Sequence, residues 1–265
     1  MQDDPGTVTA KLKGIRDALN NRTNAVAVFA GNEDSISLNR PVADRFFASL
    51  GAHDIERAEY DFTVPEKSEA LIIDSSIQYN QKNISYITLG FDGYEGWMTV
   101  AAYIVTDFYL KPLLRDRYGV YDPYCANENT SDGGIYICTY EDPNIAETFD
   151  LISELPEMLR KEEIDQETID NYILSAYAYF AKPKGVLAGA IDAADAVLTG
   201  QPQDQTLIWM RQIKQCTPEK LMKWAEMLQT LSEEGTVFTA GSAAAIKAEA
   251  DRYSMILDTF GTGDR

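Results

Sequence analysis

Trp97, Val100, Ala101, Ile104, Val105 and Phe108 fall at i, i+3, i+4, i+7, i+8 and i+11 along the chain. That period predicts a helix over 97–114, buried against a sheet and the most buried helix of the protein. It ends in the stretch Pro112–Arg117. Upstream, Val8, Leu12, Ile15 and Leu19 share one helical face, so a first helix is expected there, after a disordered leader over 1–6. Asn24–Ala30 is a short apolar run closed by Gly31-Asn32, the pattern of a buried strand. Asn39 is placed to cap a helix whose apolar face is Val42, Ala43, Phe46, Phe47 and Leu50. Glu69–Ile77 and Ile84–Phe91 read as two strands around a polar turn at Asn80–Asn83. Tyr118–Ala126 and Gly134–Tyr140 read as two more, the second alternating β-branched and aromatic side chains.

Beyond Asp142-Pro143 the period is helical: 144–160 with a kink at Pro156, then 166–181, 184–198, 203–215 and 218–231. Thr217-Pro218-Glu219 supplies an N-cap, a proline at the first helical position and an early acid. A strand over Thr236–Thr239 and a helix over Ser242–Tyr253 follow. Strands grouped ahead of helices exclude an alternating β-α-β chain, and Gly90, Gly93 and Gly96 have the wrong spacing for a phosphate loop. The fold class expected is α+β, an antiparallel or mixed sheet of about five to six strands with helices packed on one face. With no repeat and no linker, residues 7–265 are expected to form a single domain.

Charge narrows the partners. The 265 residues hold 23 Lys and Arg against 42 Asp and Glu, a net −19, which excludes nucleic acid as a general partner. The longest apolar stretch, Trp97–Leu110, is broken by Thr99, Thr106 and Asp107, so no membrane span is expected. Met1–Pro5 is acidic and lacks the apolar core of a signal peptide. Cys125, Cys138 and Cys216 are odd in number, without a C-x-x-C pair, which fits either a reducing compartment, hence the expectation of a cytoplasmic protein, or buried thiols. Cys138, in an apolar strand, reads as a small buried hydrophobe. The single histidine, His53, reads as a turn residue and makes any two-histidine zinc motif impossible in this chain.

Most charged and aromatic clusters have plain roles. Glu162-Glu163 and Glu233-Glu234 flank helices as solvated runs. Tyr172, Tyr177, Tyr179 and Phe180 share a helix with Ile169, Ile173 and Ala176 and read as core packing, while Asp74 and Asn80 are strand-end polar residues without an assigned role.

The segment Glu69–Pro143 is more specific. Tyr79-Asn80-Gln81-Lys82 with Leu89-Gly90-Phe91, the run Thr106–Arg115, and Arg115-Asp116-Arg117-Tyr118-Gly119-Val120-Tyr121 come in order, followed by Tyr140-Glu141-Asp142-Pro143. Together they resemble the C-terminal homologous domain of insulinase-like (pitrilysin) zinc metallopeptidases, most closely the presequence-protease branch. The last two blocks resemble that family's Arg-x-x-Gly-Gly-Ala-Tyr and Tyr-Arg-Asp-Pro segments.

The resemblance implies one half of a clamshell endopeptidase for unfolded peptides. Zinc and its His-x-x-Glu-His motif would lie in a partner N-terminal half, with no cofactor in this chain. It also implies that Arg115 and Tyr121 reach the peptide substrate, as two hydrogen-bond donors suited to a carbonyl or its developing oxyanion. The sequence departs from the pattern at Tyr118, where the family has its first glycine, and at Asp122-Pro123. Tyr118 or Tyr124 therefore stays open as the residue in the place of Tyr121. The proline requires a strand that is bent, short or at an edge. The alternatives are a degenerate structural or binding domain of the same fold without a peptidase role, and an unrelated α+β binding domain.

Overall fold

The structure, a computed structural model, describes residues 4–52, 68–73, 75–130, 133–202 and 204–258. In chain order the elements are α1 (Pro5–Leu19), α2 (Glu33–Ser49), β1 (Glu69–Ile72), β2 (Gln78–Ser85) and α3 (Trp97–Val105), which continues as a π-helical segment Thr106–Arg117. Then come β3 (Asp122–Asn127), β4 (Gly134–Asp142), α4 (Ala146–Lys161), α5 (Gln166–Ala181), α6 (Val186–Leu198), α7 (Gln205–Ile213) and α8 (Pro218–Glu234). Last are β5 (Thr236–Gly241), α9 (Ala243–Ala248) and β6 (Met255–Leu257). Contacts divide the chain into two compact units, Met1–Val64 with Pro183–Gln203, and Pro65–Lys182 with Asp204–Arg265.

The first unit carries α1, α2 and α6. Asp4 caps α1 by accepting the Gly6 and Thr7 N–H groups, with Pro5 at the first helical position. The α1 helix thus opens inside the stretch 1–6. Asn32, not Asn39, caps α2, accepting the Ser35 N–H at 2.9 Å; Asn39 lies within the helix and donates to the Ser35 carbonyl. The run Asn24–Ala30 forms no strand: after a short 3₁₀ turn at Arg22–Asn24 its valines and Phe29 are exposed and pair with no strand among the described residues. His53 lies outside the described residues, as does Asp74.

The second unit is the α+β body, with a six-stranded mixed sheet in the order β3-β4-β2-β5-β1-β6. The pairs β1–β5 and β1–β6 are parallel; β2–β4, β2–β5 and β3–β4 are antiparallel. Alternate residues turn one face toward the helices: Ala70 and Ile72, Asn80 and Ile84, Ile135 and Ile137 are buried there. The opposite face carries Tyr79, Tyr124, Tyr136, Tyr140 and Phe238.

In α3 only Thr99 and Tyr103 are not buried, as the period requires. Trp97 packs edge to face with Trp224 of α8, ring centroids 6.1 Å apart. Gly96 permits a close crossing, because a Cβ there would lie 2.2 Å from the Trp209 carbonyl of α7. From Thr106 the winding widens. Pro112, inside this segment, has no N–H to give to an α-helical turn. Pro156 lies buried within α4, which runs unbroken from Ala146 to Lys161.

The expected polar turn at Asn80–Asn83 is instead the middle of β2, where Gln78, Asn80 and Lys82 face the helices and are buried. Two of them find partners inside: Asn80 binds Asp142 and Thr239, and the Lys82 ammonium donates to the Ser232 carbonyl at 2.6 Å. That carbonyl belongs to the last turn of α8, where unpaired carbonyls favour a cation. The helix expected over Ser242–Tyr253 is shorter, and Met255–Leu257 adds an unforeseen edge strand.

Candidate functional site

Arg115 lies in the final turn of the π-helical segment and Tyr121 is the residue before β3. Residues 116–120 turn the chain back upon the helix end. The Arg115 carbonyl accepts the Gly119 N–H at 3.2 Å, and the Leu114 carbonyl accepts that of Val120 at 3.1 Å. Gly119 has φ +77°, a backbone that L side chains rarely adopt. Tyr118, in the place of the family segment's first glycine, has φ −107° and so carries its side chain without strain. Buried Val120 pins the turn to the core.

This return brings the two residues together. The Arg115 guanidinium lies 5.8 Å over the Tyr121 ring, both side chains exposed to solvent, with Tyr121 59% accessible. Beside them the rings of Tyr121 and Tyr140 are 6.4 Å apart, and those of Tyr140 and Tyr79 are 5.0 Å apart. The result is a ridge of one cation and three phenols. Partial burial, and next to it Tyr140 and Glu141, push the Tyr79 phenol up from its ordinary value. Guanidinium and phenol both donate, so the ridge suits an acceptor such as a peptide carbonyl.

The other tyrosines have different surroundings. Tyr118 lies under the Arg117 guanidinium at 5.2 Å, and its carbonyl accepts the Asn144 side-chain amide. Tyr124 projects from β3 on the open sheet face, its ring 6.1 Å from Tyr136, and burial with Cys138 beside it raises its phenol. Cys138 shares that open face and is half-buried rather than core; Cys125 and Cys216 are the buried thiols. Pro123 sits on the edge strand β3, in agreement with the strand its ring demands.

Glu162, Glu163, Glu233 and Glu234 are exposed. Tyr172 packs near Phe108 and Phe180 near Trp209, whereas Tyr179 is exposed.

One residue of the Tyr140–Pro143 motif has an environment that the sequence pattern does not announce. Asp142 is fully buried, and its carboxylate accepts from Asn80, Thr139, Thr148 and, twice, Asn144. The inward polar positions at 78, 80 and 82, spaced by two, were the available signal.

Among the described residues no three His, Cys, Asp or Glu side chains gather where a metal ion could be held. A zinc site does not fit this set. No described helix is long and apolar enough to cross a membrane.

Residues 68–241 match the family described as the PreP C-terminal domain. The chain is 26% identical over 256 residues to Protein HypA of Clostridium perfringens, covering 96% of this chain and 26% of that protein. Over 119 residues it is 26% identical to presequence protease 1, chloroplastic/mitochondrial, of Arabidopsis thaliana, covering 43% of this chain and 10% of that one. It therefore spans about a quarter or less of these relatives.

Among solved structures, pitrilysin aligns with a TM-score of 0.63 at 14% identity, over 94% of this chain and 28% of that one. The peptidase M16 inactive domain of Pseudomonas fluorescens aligns at 0.54 and 16%, over 78% and 50%. At such identities the structures speak for the fold, and they agree on it. The family match covers more than half the chain, and on it the protein belongs to the PreP C-terminal domain family, with a fold similar to those of pitrilysin and the peptidase M16 inactive domain.

Proposed function

We propose that this chain belongs to the non-zinc half of a zinc-dependent metalloendopeptidase acting on unfolded peptides in a reducing, cytoplasmic setting. It closes on an N-terminal zinc-bearing half, forms part of the chamber wall, and lends Arg115 and Tyr121 to the bound peptide. The observation that carries the reading is the Arg115–Tyr121 pair, exposed and 5.8 Å apart, inside a segment that matches the family. Zinc would polarise the scissile carbonyl and activate water from the partner half. In this chain the guanidinium would orient the peptide by its fixed fork of donors, and the phenol would give one hydrogen bond to the reacting carbonyl. Such a donor aids catalysis if its bond strengthens as negative charge grows on that oxygen.

A second reading, a degenerate domain that binds without aiding cleavage, draws on Asp122-Pro123, where this sequence leaves the family pattern. Co-expression with a zinc-bearing half and a peptide-cleavage assay separate the two. The proposal expects cleavage only by the pair of halves, and a loss when Tyr121 is changed. Cleavage by the zinc half alone, at an equal rate, would overturn it.

A further inference from the structure

Strand β4 holds one residue more than its partner between two paired positions. Asn80 is opposite Thr139 and Gln78 is opposite Asp142, so Tyr79 faces both Tyr140 and Glu141. At this bulge Glu141 takes φ +51°, the positive-φ exception among the described non-glycine residues. The bulge also reverses the alternation of the strand. Thr139 points to the core and Tyr140 outward, so without the extra residue Asp142 would face outward as well. With it the Asp142 carboxylate is turned inward and fully buried.

There one carboxylate oxygen accepts from the Thr139 and Thr148 hydroxyls, each at 2.7 Å, and from the Asn80 amide at 2.9 Å. The other accepts the Asn144 backbone N–H at 2.8 Å and its side-chain amide at 3.2 Å. No cation is among these partners. The Asn144 amide also donates to the Tyr118 carbonyl at 3.1 Å, and the Glu141 carbonyl accepts the Tyr121 N–H at 3.3 Å. Both bonds reach the turn that separates Arg115 from Tyr121, one in its middle and one at its end.

We infer that Asp142 is a positioning residue for the Arg115–Tyr121 site, acting through Asn144 on the Tyr118 carbonyl and through the bulge on the Tyr121 backbone. The inference rests on the proposed role of that pair and adds what holds it in place. A strained residue beside a buried, fully bonded carboxylate is a costly construction. Its product here is a fixed direction for one exposed turn. Asp142 touches no substrate and carries no proton in the reaction.

The test uses Asn144→Ala, a half-buried position whose loss spares the remaining Asp142 bonds, with Asp142→Asn alongside. Hydrogen exchange of single amides on the full chain is the first readout. Asn144→Ala should speed exchange at Gly119, Val120 and Tyr121 by about tenfold, the loss of one hydrogen bond. Leu159 and Leu228, buried in α4 and α8, should not change. Asp142→Asn should act in the same direction and more strongly. If it does not fold, Asn144→Ala decides alone. Unchanged exchange in the turn overturns the inference, and so does an equal rise at Leu159 and Leu228, which marks general loosening.

The second readout is peptide cleavage with the zinc-bearing half added, where Asn144→Ala should lower kcat with KM little changed. Suppose Tyr121→Phe harms cleavage while Asn144→Ala alters neither exchange nor kcat; then the site stands and the positioning role falls. Suppose instead that exchange rises in the turn while Tyr121→Phe is silent; then the substrate-contact reading falls, and the positioning role loses its purpose with it.

Discussion

The hydroxyl of Thr106 accepts the backbone N–H of Cys125 at 2.9 Å and lies 3.4 Å from the carbonyl of the same residue. A helix side chain thus takes the place that another strand would take at the edge of β3. Pro123, two residues earlier in the same row, has no N–H to offer. The edge is closed against strand addition by one hydroxyl and one imino acid. Thr106→Val keeps the shape and removes the acceptor, leaving a buried N–H unpaired. Denaturant unfolding should show a loss of about 1–3 kcal/mol.

Tyr121→Phe tests the donor while sparing the ring. Tyr121 is exposed, so the melting temperature of the chain should stay the same. In the assembled peptidase kcat should fall on the order of 10²-fold, the lower range for one oxyanion donor, with KM less affected. Tyr118→Phe and Tyr124→Phe should be nearly silent in the same assay. A damaging Tyr124→Phe would move the role to the open sheet face.

Glu141 gives a stability test of the bulge. A β-branched side chain tolerates left-handed backbone poorly, so Glu141→Ile should cost about 1–2 kcal/mol in chemical denaturation. Glu141→Gly should cost little, because glycine adopts that backbone freely.

Metal content is open to direct measurement. After dialysis the purified chain should hold less than stoichiometric zinc and cleave no peptide by itself. One tightly held zinc per chain would contradict the absence of a ligand cluster among the described residues.

Alkaline pH should weaken the fold. Burial pushes the Cys216 thiol up to about 12, and the Tyr94, Tyr109 and Tyr172 phenols also up to about 12. In the unfolded chain a thiol ionises near ~8.5 and a phenol near ~10. The unfolded state therefore releases protons first, and the stabilisation, whole below the unfolded values, is lost as pH rises toward the folded ones. Melting temperatures should be level between roughly pH 7 and 8 and decline above about 9. Cys216→Ala should make the first part of that decline shallower.

Much of this architecture was legible from periodicity where one kind of residue repeats on one face. Trp97, Val100, Ala101 and Ile104 announced α3, and Thr217-Pro218-Glu219 announced α8. The reading broke where burial was polar. Asn80 and Lys82 look like turn residues until Asp142, Thr239 and the Ser232 carbonyl are beside them, and those partners are remote in sequence. It broke again at Val26, Val28 and Phe29, apolar residues that are exposed and lie in no strand.

At the site, Arg115 and Tyr121 entered through family resemblance. The turn at Gly119 that brings them together depends on φ, which residue types only hint at. Asp142 was in view as part of a motif. Its inward orientation depends on a bulge, and a single extra residue leaves no periodic trace.

The strand order has a consequence for how the chain is made. β1 pairs with β5 and β6 alone, and β5 begins at Thr236. During synthesis β1 must wait, unpaired, while the helices from α3 to α8 emerge. The half of the sheet formed by β2, β3 and β4 can close earlier, since β3 and β4 are a hairpin and all three strands emerge well before β5. The other half is a late event governed by long-range loop closure, slow by its topology. A nascent chain stalled before Thr236 would carry a finished hairpin layer and one orphaned strand, the form most exposed to proteases and to chaperones.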